Sequence, residues 1–496
     1  MMLPIRYAIA SLLTWSVATI PLQAQQPPIC EDRLPEAIAT VRHRQTPRAT
    51  WGILIEPLTP RNPPLYRHNP QQYLLPASNA KLLTTAAALQ RLGPDYRVRT
   101  SVYLTDTTSD PPQTKDSSTA GRELHLVGRG DPSLTTDSLR ELAQQVAQAG
   151  VTSVDRLILH DSVFGGDAIN PNWDWEDVQA GYGAPVNSTI LDRNEIPFIL
   201  HPQQAGQPLR VEWERSIDRR RWRLENRSRT VPPDQPEWLS IGRDLTSPTI
   251  RIAGQLIEGS PAEPVSVAVV DPATAFLQQF RNVLTAEGIA VAESRVVETP
   301  MQIRGREIAA VDSPTVAELV DRVNGVSDNL YAEVLLRWLG TTLPDDGTSA
   351  AQRGIRVVED SLISLGIDRH SFVLNDGSGL SRLNWVSPQA LVQTLQAMAR
   401  SPYAEIYRNS LPTSSLAENT AVISAKTGTL TGVSALSGYL NHSRYGTLVF
   451  SIIVNNADDT TAEQRSRIND ILLLLTRLHP CAESHESSSI EPSIDP

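Results

Sequence analysis

At 496 residues the chain is long for one compact unit, which predicts two or three domains. A hydrophobic content of 40% and a charged content of 20% read as globular. The net charge of −11 argues against a nucleic-acid partner, and the Arg219-Arg220-Arg221 triplet reads as a solvated turn; the acidity describes a solvated surface and says little about substrate.

In chain order, residues 1–24 read as a secretory leader: Arg6 gives a positive start, Tyr7 to Ile20 is apolar but short for a membrane span, and cleavage after Ala24 is expected. The alternative is an uncleaved membrane anchor, and peripheral membrane contact is the corresponding partner expectation. Cys30 follows Pro28-Ile29, a poor lipid-attachment context. Export to a periplasm or cell-wall space allows the two cysteines, Cys30 and Cys481, to form one disulfide joining the chain ends; two unpaired thiols are the alternative. Neither C-x-x-C nor H-E-x-x-H occurs, and no G-x-x-x-x-G-K-[ST] or G-x-G-x-x-G loop is present, so no metal, phosphate site or cofactor is expected.

Trp51 to Glu56 reads as a buried strand. Pro76-Ala-Ser-Asn-Ala-Lys81 then opens a helix running through Leu82 to Leu92 and closing at Gly93-Pro94. Ser78 and Lys81 are three apart and share a helix face. A serine hydroxyl is a poor nucleophile at neutral pH and needs a base, and a lysine in a dry pocket can lose its proton and serve. Alone, S-x-x-K is a chance-level motif.

From Arg97 to about Met301 the pattern is mainly β-rich: strands at Arg97–Leu104, Leu124–Val127 and Val154–His160, and short strands with charged turns from Val211 to Ile257. Helices are expected at Ser138–Ala149 and Pro272–Gly288. Thr105 to Arg122 is a polar loop, and Trp173 to Tyr182 is rich in aromatics and acids.

Ser327-Asp328-Asn329 lies within a helical pattern over Val316 to Leu339, either as a polar notch or as a cap. Lys426-Thr427-Gly428-Thr429 sits in a strand that begins at Ala421 and starts an antiparallel meander, continued by Ser434–Leu440 and Thr447–Asn455. Thr460 to Leu478 forms a last amphipathic helix. Glu483 to Pro496 reads as a disordered tail.

S-x-x-K, S-D-N and K-T-G in this order form the set found in penicillin-binding proteins and class A β-lactamases. The first gap, 327 − 78 = 249 residues, is too long for a compact β-lactamase; the second, 426 − 327, is 99. The chain resembles the D-alanyl-D-alanine carboxypeptidase/endopeptidase family of low-molecular-mass class C penicillin-binding proteins. Ser327-Asp-Asn-Leu-Tyr-Ala-Glu333, Asp376-Gly-Ser-Gly-Leu-Ser-Arg382 and Lys426-Thr-Gly-Thr-Leu-Thr-Gly-Val433 carry the resemblance. Gly128-Arg-Gly-Asp-Pro-Ser-Leu134 matches more loosely, because the family usually has a second glycine where Arg129 stands.

The resemblance implies an α+β fold. A transpeptidase-like domain, an antiparallel sheet flanked by helices, comes from residues 25–98 and 305–483. Residues 99–304 form an inserted β-rich region with a nested domain near 189–256. Because the terminal helices of that fold pack side by side, the Cys30–Cys481 bridge is expected. The implied activity is a serine D,D-peptidase acting on the D-Ala-D-Ala terminus or D-alanyl-diaminopimelate cross-links of peptidoglycan peptides, with β-lactams as covalent inhibitors. Ser78 attacks, Lys81 takes its proton, Ser327 relays a proton to the leaving nitrogen, Lys426 sets the field and Asn329 binds the substrate amide. Thr427 and Thr429 hold the terminal carboxylate and Gly428 admits the backbone. Asp177, Tyr182 and Arg382 are expected to read a diaminopimelate side chain, with Glu176 as the rival to Asp177. A β-lactamase or serine esterase is the alternative, but no Glu-x-x-Leu-Asn-like deacylation loop occurs between Ser327 and Lys426. A catalytically silent cell-wall-binding homologue is the other alternative, and three intact motifs argue against it.

Overall fold

The structure, a computed structural model, describes residues 28–44, 48–61, 63–107, 121–244, 246–300, 302–303, 305–416 and 421–481. The expected leader, the disordered tail and the middle of the Thr105–Arg122 loop lie outside these residues.

A six-stranded antiparallel sheet organises the chain. Its order is Thr413–Leu416, Ala421–Leu430, Val433–His442, Gly446–Asn455, Thr50–Pro57 and Tyr66–His68. Alternation along these strands sends side chains to two different cores. Ile53, Ile55, Leu436, Leu440, Phe450 and Ile452 face the helices Leu34–His43 and Thr461–Thr476. Leu54, Ala435, Tyr439, Val449 and Ile453 face the opposite layer, built from Ala80–Leu92, Val316–Gly325, Asn329–Thr341, Ala350–Ser364 and Pro388–Ala399. Ala80–Leu92 is buried from Ala80 to Leu89 on every side, so its Ala- and Leu-rich sequence is a core helix and not an amphipathic one.

The intervening chain builds two further cores. A five-stranded sheet has the order Ala290–Val297, Ser153–His160, Gly121–Val127, Arg99–Thr107, Arg306–Asp312. Its first three strands are parallel, and the helices Thr136–Gln148 and Pro272–Ala286 pack on it. Two three-stranded sheets, drawn from Glu195–Ala268, enclose a fourth core around Phe198, Ile241 and Ile252.

Three expectations need correction. Arg306–Asp312 pairs with Arg99–Thr107, so the chain leaves the five-stranded sheet at Ser313, beyond the expected limit of 304. The five-stranded part is α/β, because parallel strands require crossover helices. The two small sheets reach Ala268, past the nested limit of 256. At Arg129 the missing glycine has no conformational cost, since the positive φ of that turn falls on Gly130 (76°), and the Trp338 indole donates to the Arg129 carbonyl at 3.0 Å.

Cys30 and Cys481 are disulfide-bonded, with Cα atoms 4.9 Å apart across a sequence separation of 451. Ile29–Cys30 pairs in parallel with Leu478–His479, which holds the two ends together beside the bridge. Protein alkylated without prior reduction should show no adduct at either cysteine by mass spectrometry. Cys30→Ser should lower stability by roughly 2–5 kcal/mol in denaturant titration.

Candidate active site

Ser78 lies in a single 3-10 turn, Ala77–Asn79, directly before the buried core helix. The turn is strained: Ala77 has φ 47°, a region costly for a residue with a Cβ. It is over-determined by its neighbours. The buried Asn79 amide donates to Ser437 Oγ at 2.9 Å, which in turn bonds Ser451, tying the turn to two central strands. Leu75 is held on both sides by Asn455. The consequence is a serine hydroxyl fixed at the end of a rigid helix and partly open to solvent.

One turn on, Lys81 is fully buried. Its Nζ reaches Ser78 Oγ at 2.9 Å, Asn329 Oδ1 at 2.6 Å and the Ser378 carbonyl at 2.6 Å. Burial pulls its pKa down to about 8, against the opposing pull of Asp376, Asp328 and Glu333. Lys426 is also buried, with Nζ 2.8 Å from Ser327 Oγ. Burial, and then repulsion by Lys81, push its pKa well below the ordinary lysine value. A pocket with two desolvated ammonium groups disfavours charging both, so one neutral amine is available at moderate pH.

Ser327 is not helical. The helical pattern over Val316–Leu339 breaks into Val316–Gly325 and Asn329–Thr341, and Ser327 sits between them with φ 61°. Asp328 caps the second helix by accepting from the Tyr331 amide at 3.2 Å. Arg193 and Arg322 both bind the Asp328 carboxylate and hold the turn in place. Asn329, first in the helix, accepts from Lys81 and donates to the Tyr182 carbonyl at 3.0 Å.

The strand Ala421–Leu430 closes the other side. A Cβ on Gly428 would lie 2.7 Å from the Pro76 carbonyl oxygen and 3.1 Å from the Ser78 nitrogen, so only glycine lets the strand approach this closely. The outer strand Thr413–Leu416 pairs only with Ala421–Ser424. Lys426–Thr429 therefore has an open strand edge beside Ser78, with no strand on that side among the described residues.

Around the mouth, Tyr182 donates to Asp177 Oδ1 at 2.8 Å. Desolvation raises the Asp177 pKa, while the Tyr182 hydrogen bond and the nearby Arg382 oppose the rise. Arg382 itself bonds Asp174 Oδ2 at 3.1 Å and the Thr431 carbonyl at 3.2 Å. Sequence reasoning passed over Asp174 in favour of Asp177 and Glu176; nothing in the sequence distinguished three acids within four residues. It also missed Glu333 as a support. Glu333 accepts the Gly377 and Ser378 amides at 2.8 and 2.9 Å and pairs with Arg337 at 3.0 Å. The signal was present: a Glu and an Arg four apart on a helix otherwise apolar at Leu330, Val334, Leu335 and Trp338.

A serine on a strained helix entry, a buried lysine one turn on, a second Ser–Lys pair and an open strand edge define an active-serine hydrolase of the penicillin-binding class. A model of the D-Ala-D-Ala carboxypeptidase 3 (S13) family matches residues 35–478, and the chain belongs to that family. It is similar to D-alanyl-D-alanine carboxypeptidase from an Actinomadura species, at 32% identity over 417 residues, covering 79% of this chain and 75% of the relative. It is also similar to penicillin-sensitive carboxypeptidase A of Dictyostelium discoideum, at 26% identity over 475 residues, covering 86% and 87%. Among solved structures, penicillin binding protein 4 from Haemophilus influenzae shares the fold, with a TM-score of 0.73 at 20% identity, covering 91% of this chain and 100% of that one. The protein is a serine-type D,D-peptidase. No helix among the described residues is long and apolar enough to cross a membrane.

Proposed function

We propose that this protein cleaves the D-Ala-D-Ala terminus of peptidoglycan peptides, or the D-alanyl-diaminopimelate cross-link, through an acyl intermediate on Ser78. The observation that carries this reading is the 2.9 Å contact between Ser78 Oγ and a fully buried Lys81 whose pKa has fallen to about 8. Neutral Lys81 takes the serine proton as Oγ attacks the carbonyl of the penultimate D-alanine. The backbone N–H groups of Ser78 and Thr429 receive the developing oxyanion. Ser327, bonded to Lys426, passes a proton to the leaving nitrogen, and water then releases the acyl group. Asn329 binds the substrate amide. The substrate backbone adds to the open edge of Ala421–Leu430, a β-augmentation that aligns the scissile bond. Thr427 and Thr429 hold the terminal carboxylate.

A β-lactam presents the same carboxylate and a strained amide, so it acylates Ser78. On this reading the enzyme works outside the cytoplasm; the leader expected over residues 1–24 and the Cys30–Cys481 bridge, which is stable in an oxidising compartment, support that location. Peripheral membrane contact would follow only if that leader were retained. Incubation with defined muropeptides and mass spectrometry of the products tests the reading. Loss of one D-alanine marks carboxypeptidase action, and dimer-to-monomer conversion marks endopeptidase action. If both substrates stayed intact, the reading would fail.

The third-residue side chain of a diaminopimelate stem carries an ammonium and a carboxylate. We assign the ammonium to Asp177, the carboxylate to Arg382, and Tyr182 to either. The Arg382–Asp174 ion pair modifies this, because the incoming carboxylate must compete with Asp174 for the guanidinium. Asp177→Ala or Arg382→Ala should lower kcat/KM on diaminopimelate stems by about tenfold or more, with little change in acylation by simple penicillins. Equal losses on both would place these residues in the fold or the catalytic machinery.

A further inference from the structure

Arg465 stands on the last helix, Thr461–Thr476, five residues from its N-cap Thr460. Its guanidinium donates to Thr429 Oγ1 at 3.0 Å. This contact is built into the fold. Ser434 is the cross-strand partner of Thr429, and its hydroxyl donates to the side chain of the buried Gln464 at 2.7 Å. Gln464 also donates to the Asp459 carbonyl at 3.0 Å, and Arg467 pairs with the Asp459 carboxylate. The helix is thus pinned against the strand pair one residue before Arg465, which sets that side chain over Thr429.

Arg465 is exposed at the rim of the site, and two features mark it out among the arginines there. Among the described residues it forms no ion pair, although most arginines around the site, including Arg193, Arg322 and Arg382, do. Desolvation lowers its pKa and no carboxylate opposes that shift. An arginine held by a single neutral hydroxyl at the rim of a hydrolytic site has charge-assisted donors left for an anion.

We infer that Arg465 is the cation that receives the free α-carboxylate of the residue leaving from the scissile bond, through the same position that Thr429 occupies. The inference rests on the reading of the Lys426–Thr429 edge as the one that holds substrate. It deepens that reading by naming what the site requires: a substrate whose leaving residue carries an ionised carboxylate next to the departing nitrogen. D-Ala-D-Ala ends meet this requirement. A diaminopimelyl leaving residue meets it only when the carboxyl beside that nitrogen is free, so stems amidated there are poor cross-link substrates.

The test compares Ser78 acylation by benzylpenicillin and by its methyl ester, which lacks the anion, measured as second-order rate constants. Arg465→Ala should lower the acid-to-ester ratio by about 10–100-fold, and Arg465→Lys should retain most of it. Thr427→Val serves as the control for the edge itself. If Arg465→Ala keeps the wild-type ratio, or loses acid and ester equally, while Thr427→Val lowers the ratio, the inference falls and the edge reading stands. If neither variant changes the ratio, the edge reading falls with it.

Discussion

Ser78→Ala should abolish both peptide hydrolysis and durable labelling by fluorescent penicillin, a loss of at least about 10⁴-fold, while leaving thermal unfolding unchanged. Among the described residues the hydroxyl makes one hydrogen bond, to Lys81, and the turn that presents it is held by Asn79, Leu75 and Asn455, so the scaffold does not depend on it. Lys81→Ala should cost roughly 10²–10⁴-fold or more, the usual penalty for removing a general base. The pH dependence follows from the same lysine. Lys81 must be neutral to accept the proton, and its pKa lies near 8. Acylation kcat/KM should therefore climb about tenfold per pH unit on the acid side and level off above roughly pH 8. A flat profile between pH 6 and 8 would remove Lys81 from the role of base. Durable labelling of the Ala variant would remove Ser78 from the role of nucleophile, whereas rapid turnover of the label by the native enzyme would favour a β-lactamase.

The order and spacing of Ser78, Ser327 and Lys426 were enough to identify the kind of site, because chemistry needs those residue types and a chance match of all three is rare. The meander and core helix were equally visible, since period-two alternation and an uninterrupted apolar run survive in the local sequence. Other features arise only from tertiary pairing. That Arg306–Asp312 belongs with Arg99–Thr107 is decided by a strand partner two hundred residues away. The positive φ at Ser327 sits in a turn that Arg193 and Arg322 hold through Asp328, and Arg193 comes from within the insertion. Arg465 carries no motif at all; only the packing of the last helix on Ser434 brings it to Thr429. The Arg382–Asp174 pair belongs to the same category, because a loop in the insertion and a loop in the helical layer meet only once both are folded.

Glu333→Ala should be the most damaging change outside the reacting groups. Glu333 is 1% exposed and Arg337, its partner at 3.0 Å, is 3% exposed. Burial pushes the Glu333 pKa up, while Arg337 and the amides of Gly377 and Ser378 favour its ionised form. Those amides belong to the loop whose Ser378 carbonyl accepts from Lys81, and the Thr84 hydroxyl bonds the Gly377 carbonyl at 2.8 Å. Removing the carboxylate leaves a guanidinium in the core without its ion-pair partner, with only the more distant Asp376 to oppose its charge, and two amides without an acceptor. The first loss alone is worth about 3–5 kcal/mol. Urea unfolding of Glu333→Ala should show a large fall in midpoint, and the surviving folded protein should acylate slowly because the Ser378 carbonyl no longer holds Lys81 in place. Glu333→Gln separates the two effects: it keeps an acceptor for the loop amides but discards the charge, so it should lose stability yet retain more of the acylation rate than the Ala variant. If Glu333→Gln and Glu333→Ala acylate equally slowly at temperatures where both remain folded, the charge facing Lys81, and not the loop geometry, is what Glu333 contributes.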